Sequence, residues 1–267
     1  MTTTLRPAGE EYALPGGARS RDFTVCVNGR PVGGLRLTAE APGGSGRIDA
    51  LTVAEPDRRR GRGTVAALAA EEVLRQWGCT RVTAEIPRGA DYGLRIARAL
   101  GYTETNRALA RELPAGAAPA PLPAGCRLHE VDTGSAAEWL AELERGYAAE
   151  LVRTGVPAGR AAEEAAASTA AALPTGRLLA LDADGATVGR LWLRTEPLPA
   201  WVLAVEVLPA HRGRGFGRTL MLAAESVCRS AGVREVGLNV FTTNAVGLHL
   251  YAALGYEVRS RSFSKGL

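Results

Sequence analysis

The chain has 267 residues, 46% of them hydrophobic and 22% charged, with 32 Lys and Arg set against 28 Asp and Glu. That length suits two domains of about 100–150 residues each, and the composition is that of a globular protein with a real core, which excludes a disordered chain. No run approaches the roughly 18–20 apolar residues of a membrane span. The opening MTTTLRPAGEEY has no apolar stretch behind a basic start, so no secretory signal is expected and the cytoplasm is the expected compartment.

The net charge of +4 does not predict nucleic-acid binding, because much of the basic excess sits in two short runs, Arg58–Gly63 and Arg212–Gly215. Aromatics make up only 5% of the chain and do not interleave with the arginines as base stacking requires. Cys26, Cys79, Cys126 and Cys228 are scattered, with no C-x-x-C pair and no histidine cluster. Neither a metal site nor a disulfide framework is expected.

In chain order, a short opening strand (Thr3–Arg6) comes about 15 residues before Phe23, too close for two helices to fit between. A hairpin around Asn28-Gly29 follows, and then strand, basic glycine loop, helix, strand and helix, ending at Gly101-Tyr102. The uncharged Pro/Ala-rich stretch from Leu113 to Gly125 reads as a semi-rigid spacer. It predicts domains at 1–113 and 126–267 with a linker at 114–125. Beyond it, Arg127–Val131 predicts a strand, Ala136–Val152 an amphipathic helix, and Ala161–Ala172 a second helix closed by Pro174. Leu178–Leu181 and Thr187–Arg194 form a hairpin around Asp184-Gly185, and Trp201–Leu208 reads as a buried strand. A helix over about Gly217–Ala231, a strand at Glu235–Val240, a helix at Ala245–Leu254 and a strand at Glu257–Phe263 complete the chain.

The two halves are copies of one unit. A shift of 154 residues puts Arg58 on Arg212, Gly61 on Gly215, Gly63 on Gly217 and Tyr102 on Tyr256, with 18 of 45 positions identical between Arg58 and Tyr102. The preceding hairpins, Cys26–Gly33 and Asp182–Gly189, correspond at a shift of 156.

The loop Arg212-Gly213-Arg214-Gly215-Phe216-Gly217-Arg218 lies between a buried strand and a helix. Unpaired N–H groups at a helix N-terminus, the helix dipole, glycines that let backbone approach closely, and arginines together suit a pyrophosphate. No Gly-Lys-Ser/Thr follows, which excludes a Walker loop. Gly61-Arg62-Gly63-Thr64-Val65-Ala66 fits a dinucleotide fingerprint, but the second copy has no alanine at the place of Ala66, where Leu220 stands. A plain solvated basic loop is the other reading.

The spacing R-x-x-G-x-G after an apolar strand, then helix, strand and N-x₆-Y-x₃-G-Y, resembles the GNAT (GCN5-related N-acetyltransferase) superfamily. Here these pieces are Arg212, Gly215, Gly217, Asn244, Tyr251, Gly255 and Tyr256. The resemblance covers residues ~126–267 in full and ~1–113 in part. It implies an α/β fold with a mixed sheet, as two tandem GNAT-like domains of which the first lacks the helical pair after its opening strand. It also implies acetyl-CoA, with the pyrophosphate on the amides of residues 212–218. The pantetheine would lie along the free edge of strand 203–207 at Val205 and Val207, and Asn244 would add a cofactor contact unless it only caps its helix.

Acyl transfer to an amine needs a base for the amine, a donor for the developing oxyanion and an acid for the leaving thiolate. The resemblance implies that the Val207 N–H faces the thioester carbonyl and that Tyr251 is the acid. Glu206 is the lone acid in an otherwise apolar strand, on the face opposite Val205 and Val207, and reads as the base or as the partner of an arginine. The first copy has Thr52, Ala90 and Ala97 where the second has Glu206, Asn244 and Tyr251, yet it keeps the loop. Val53, Arg58, Gly61, Arg62 and Gly63 therefore form a possible second cofactor site without turnover.

The expected function is acetyl transfer to a primary amine of a small molecule or peptide, directly in a ternary complex, because no side chain reads as a covalent nucleophile. The tandem layout is similar to mycothiol synthases, which acetylate an amino-thiol sugar conjugate. A donor other than acetyl-CoA, such as one on an acyl carrier protein, and a non-catalytic acyl-CoA sensor remain as rivals. Contacts to the acceptor are expected from residues 136–173 and 241–250.

Overall fold

The computed structural model describes residues 2–40, 44–114, 116 and 121–267. They divide into two compact units, one of residues 1–106 with 260–267 and the other of residues 107–259. In the first unit the strands are β1 (Thr3–Ala13), β2 (Arg19–Val27), β3 (Arg30–Ala39), β4 (Ser45–Val53) and β5 (Arg81–Pro87). Helices α1 (Arg62–Gln76) and α2 (Asp91–Ala99) pack with them. β6 (Thr103–Glu112) begins in the first unit and ends in the second. The second unit contains β7 (Cys126–Glu130), α3 (Ala137–Arg153), α4 (Ala158–Ala172), β8 (Gly176–Ala183), β9 (Ala186–Arg194) and β10 (Ala200–Val207). It continues with α5 (Phe216–Ser230), β11 (Glu235–Phe241) and α6 (Ala245–Ala253), and β12 (Glu257–Gly266) returns to the first unit. This is the mixed α/β fold expected, in two tandem copies.

No helical pair separates β1 from β2, only a 3-10 turn at Pro15–Gly17. β1 runs seven residues past the expected Thr3–Arg6. As an edge strand it tolerates Pro7, and a register shift between Ala8 and Tyr12, where Gly9 has φ +77°, takes up the extra length. The other elements match their sequence signals to within a few residues. Each hairpin turns on the expected residues, with Asn28 and Asp184 in the left-handed region ahead of Gly29 and Gly185.

The unit boundaries differ from the expected linker. Residues 115 and 117–120 of that linker lie outside the described residues, and the units divide inside β6 and β12 instead. Strand pairing is the reason. β5 pairs antiparallel with the end of β12, from Ser260 opposite Pro87 to Gly266 opposite Arg81, while β6 is the neighbour of β11. Each unit is thus completed by the strand that follows the other copy's last helix.

A buried acid accompanies each exchanged strand. Glu71 of α1 is 1% exposed and takes a 2.7 Å bond from the Lys265 ammonium of β12. Glu225 of α5, also 1% exposed, takes the same bond from Arg111 of β6. The acids correspond at the 154-residue shift, and so do the cations. A carboxylate this buried is tolerated only when paired. Burial and these acids together push the Tyr102 and Tyr256 phenols far above the usual range.

Removing the strand's cation leaves each acid only the longer contact from its own helix, Arg75 to Glu71 at 3.7 Å and Arg229 to Glu225 at 3.5 Å. Lys265→Met is expected to lower stability by roughly 1–3 kcal/mol, since the buried Glu71 loses its hydrogen-bonded cation. In calorimetry, Glu71→Gln added to Lys265→Met should raise the melting temperature again, because the amide needs no counter-charge. A double variant no more stable than Lys265→Met would show that the ion pair is not what ties this strand down.

Candidate active site

The site begins where two neighbouring parallel strands part. β10 and β11 are in register only from Ala200 opposite Val236 to Val202 opposite Leu238. On its other side β10 stays paired with β9 as far as Val207 opposite Gly189, past an irregularity between Val202 and Ala204. Leu208 N–H donates to the Val188 carbonyl at 3.0 Å, which makes Val207–Gly189 a non-hydrogen-bonded pair. Alternation makes Val205–Leu191 another. The backbone groups of Val205 and Val207 therefore turn away from β9 toward the edge that β11 has left.

The two faces of β10 have different neighbours. Val205 and Val207 pack into the core that contains Leu220 and Met221 of α5. Leu203 and Ala204 pack against the α3 cluster of Ala136, Trp139 and Leu140 with Trp192. Glu206 stands directly opposite Arg190 of β9, whose Nη1 lies 4.0 Å from its Oε2. The arginine that the sequence left unidentified as a partner of Glu206 is thus its cross-strand neighbour. Close approach of the two strands here requires glycine, since a Cβ at Gly189 would come within 2.6 Å of the Glu206 carbonyl oxygen.

The basic loop follows β10. Arg212 turns back along the chain, and its Nε donates to the Val207 carbonyl at 3.1 Å, so part of this side chain closes the strand end. Gly213 and Gly215 take φ of +75° and +86°, the left-handed region that favours glycine. Gly215 is the N-cap of α5, with no side-chain cap and no acid in the first turn. The amides of Phe216, Gly217 and Arg218 remain as donors with the dipole behind them. Arg214 lies over the Phe216 ring at 5.3 Å, and His211 meets that ring edge-on at 6.2 Å. Gly217 also admits α6, since a Cβ there would sit 3.3 Å from Leu250.

Helix α6 contributes Asn244 and Tyr251. The Asn244 side chain accepts from Gly247 N–H at 2.8 Å and caps the helix, which occupies its oxygen and leaves its amide nitrogen as a donor. Tyr251 is 6% exposed, packs 5.9 Å from the Tyr256 ring, and has its phenol pushed up to about 12 by burial. Helix α3 reaches the end of β11: Thr243 donates to Glu150 at 3.0 Å, and the Tyr147 and Phe241 rings lie 6.0 Å apart. Tyr147 was not among the residues singled out in the sequence, because a tyrosine in a helix carries no local signal of what it will face.

The first copy repeats the scaffold. β4 and β5 are in register only as far as Ile48 opposite Ala84 before parting, and the Arg58 Nε donates to the Val53 carbonyl at 2.9 Å. Arg59, at the place of Gly213, adopts φ +59°, and Gly61 φ +71°. At Gly63 a Cβ would come within 2.9 Å of Ile96. Thr52, at the place of Glu206, spends its hydroxyl on the Gly34 carbonyl at 3.2 Å. One expectation is corrected. Arg62 is no free loop cation, because its side chain is 5% exposed and ion-paired with Asp57, itself 4% exposed and also bonded by Arg30. The buried carboxylate draws the guanidinium inward, whereas the second copy has His211 and Phe216 at these two places.

Comparison with known proteins matches this geometry. The model of the acetyltransferase (GNAT) family fits residues 5–102 and again 149–256. A mycothiol acetyltransferase of Clavibacter michiganensis is 32% identical over 86% of this chain and 74% of its own length. One of Clavibacter sepedonicus is 30% identical over 95% and 83%. Among solved structures, a tandem GNAT protein from the clavulanic acid biosynthesis pathway is 27% identical, with a TM-score of 0.51 over 96% of this chain and 85% of that one. A GCN5-related N-acetyltransferase from Sphaerobacter thermophilus shares the fold at a TM-score of 0.59 and 20% identity, over 92% and 80% of the two chains. With parted strands and an uncapped glycine loop in each copy, the chain belongs to the GNAT acetyltransferase family, in its tandem form.

Proposed function

We propose that this acetyltransferase moves an acetyl group from acetyl-CoA to a primary amine of a small molecule or peptide, and that the chemistry belongs to the second copy. The observation that carries the reading is that the second copy alone combines the strand parting after Val202 with Glu206 on β10 and with Tyr251 in the core that Val205 and Val207 pack against. The residues present fit the donor. The backbone groups of Val205 and the N–H of Val207 suit its pantetheine amides. The uncapped α5 amides with Arg212, Arg214 and Arg218 suit its pyrophosphate, and the Asn244 amide nitrogen can add a contact. When bound, acetyl-CoA supplies an activated acetyl thioester.

The chain's own groups then divide the work. Glu206 takes a proton from the acceptor amine, directly or through a water. The Val207 N–H faces the opening and can stabilise charge on a carbonyl oxygen. Tyr251 holds a proton at Oη for the departing sulfur, and its raised pKa keeps that proton in place across the neutral and mildly alkaline range. Direct transfer is supported by the state of the thiols: Cys228 is fully buried in α5 and its thiol is pushed up to about 11, which removes it as a nucleophile.

The near-full-length relatives named mycothiol acetyltransferase favour one acceptor above others, an amino-thiol sugar conjugate. A carrier-protein donor would meet the same arginines, but no side chain of the site calls for it. In the first copy, Val53, Arg58, Gly61 and Gly63 support a second coenzyme A site that binds without turnover.

Thiol release from acetyl-CoA, followed with a panel of amines that includes an amino-thiol sugar, tests the reading. At least one amine should raise release well above hydrolysis, and none doing so would defeat it. Tyr251→Phe should lower kcat by roughly 10²–10⁴-fold with acetyl-CoA affinity unchanged, and normal turnover would remove Tyr251 as the acid. No alkaline fall in kcat below about pH 10 should trace to Tyr251, because its phenol stays protonated until its raised pKa of about 12 is approached. A fall near pH 9 that is absent in Tyr251→Phe would contradict this. Calorimetric titration should give two acetyl-CoA sites per chain, and a stoichiometry of one would confine binding to one copy.

A further inference from the structure

Glu206 meets a poor electrostatic environment for an acid. Its Oε2 is sealed from solvent and has no hydrogen-bond donor among the described residues. A carboxylate oxygen in that state is costly unless a charge compensates it. The compensating charge is Arg190, directly opposite on β9, at 4.0 Å. That distance is too long for a hydrogen bond but short enough for strong Coulomb attraction in a partly buried place. The attraction holds the carboxylate without occupying the lone pairs a base needs.

Arg190 is itself held in place. Its guanidinium lies 5.8 Å over the ring of Trp139, a cation–π distance. Trp139 is 3% exposed and locked among Ala136, Leu140, Leu178 and Trp192. A line of contacts therefore runs from α3 through Trp139 and Arg190 to Glu206. The first copy has lost every member of it: Gly34 stands at the place of Arg190, Thr52 at that of Glu206, and the helix bearing Trp139 is missing. The scaffold glycines and the loop survived the same divergence.

We propose that Arg190, braced by Trp139, is the positioning residue that holds the Glu206 carboxylate toward the acceptor amine. The inference rests on the reading of Glu206 as base, and a double-mutant cycle separates the two ideas. Arg190→Gln should lower kcat by roughly 10–100-fold, as small displacements of a reacting group do. Acetyl-CoA affinity by calorimetry should be unchanged, which also shows the fold intact. Arg190→Lys, which keeps the charge, should recover part of the loss. In a Glu206→Gln background, adding Arg190→Gln should cost nothing further.

Wild-type kcat in Arg190→Gln would overturn the proposal. So would a raised acceptor KM at unchanged kcat, which would make the arginine an acceptor contact. Fully additive losses would show that the two residues act apart. Normal turnover in Glu206→Gln alone would reject the base, and the proposal with it.

Discussion

The site depends on one constraint, that two parallel strands stop pairing. β10 and β11 keep register for three residues and then part, and everything chemical is arranged around the edge this exposes. Backbone groups that a sheet would normally consume are left unpaired by β11 at Val205 and at the Val207 N–H. β9 compensates by following β10 to its end, which the close approach at Gly189 permits. Arg212 bonds the last carbonyl of the strand, the left-handed glycines turn the chain, and α5 starts with uncapped amides beside the opening.

The first copy shows how far this scaffold is separable from catalysis. Its strands part at the corresponding residue, its Arg58 makes the same bond, and its loop bends the same way even where Arg59 replaces a glycine. What differs are the side chains at the places of Glu206, Asn244 and Tyr251 and around the loop. Thr52 satisfies its hydroxyl on the facing strand, and Arg62 is drawn to Asp57. Such changes leave the scaffold's packing intact.

The units also share a device for placing a strand. A buried acid in α1 or α5 receives a cation from the strand that completes its sheet, Lys265 for Glu71 and Arg111 for Glu225. A cation from the strand adds a closer bond to the buried acid than the arginine of its own helix supplies, which favours that strand there. The units accordingly divide inside β6 and β12 and not within residues 114–125.

Local physics made much of this legible in the sequence. Periodicity, turn dipeptides and glycine stops fixed the elements, and the repeat with its R-x-x-G-x-G and N-x₆-Y spacing gave the loop and Tyr251, because these features act over a few neighbouring residues. Asn244 could be read as a cap for the same reason. Partners brought together by folding were not legible. The exchange of β6 and β12, the inward turn of Arg62, the bond from Arg212 to its own strand end and the line from Trp139 through Arg190 to Glu206 depend on register and on which face a helix covers. One sequence shows that Glu206 is an acid in an apolar strand, but only the tertiary structure decides which cation stands across from it.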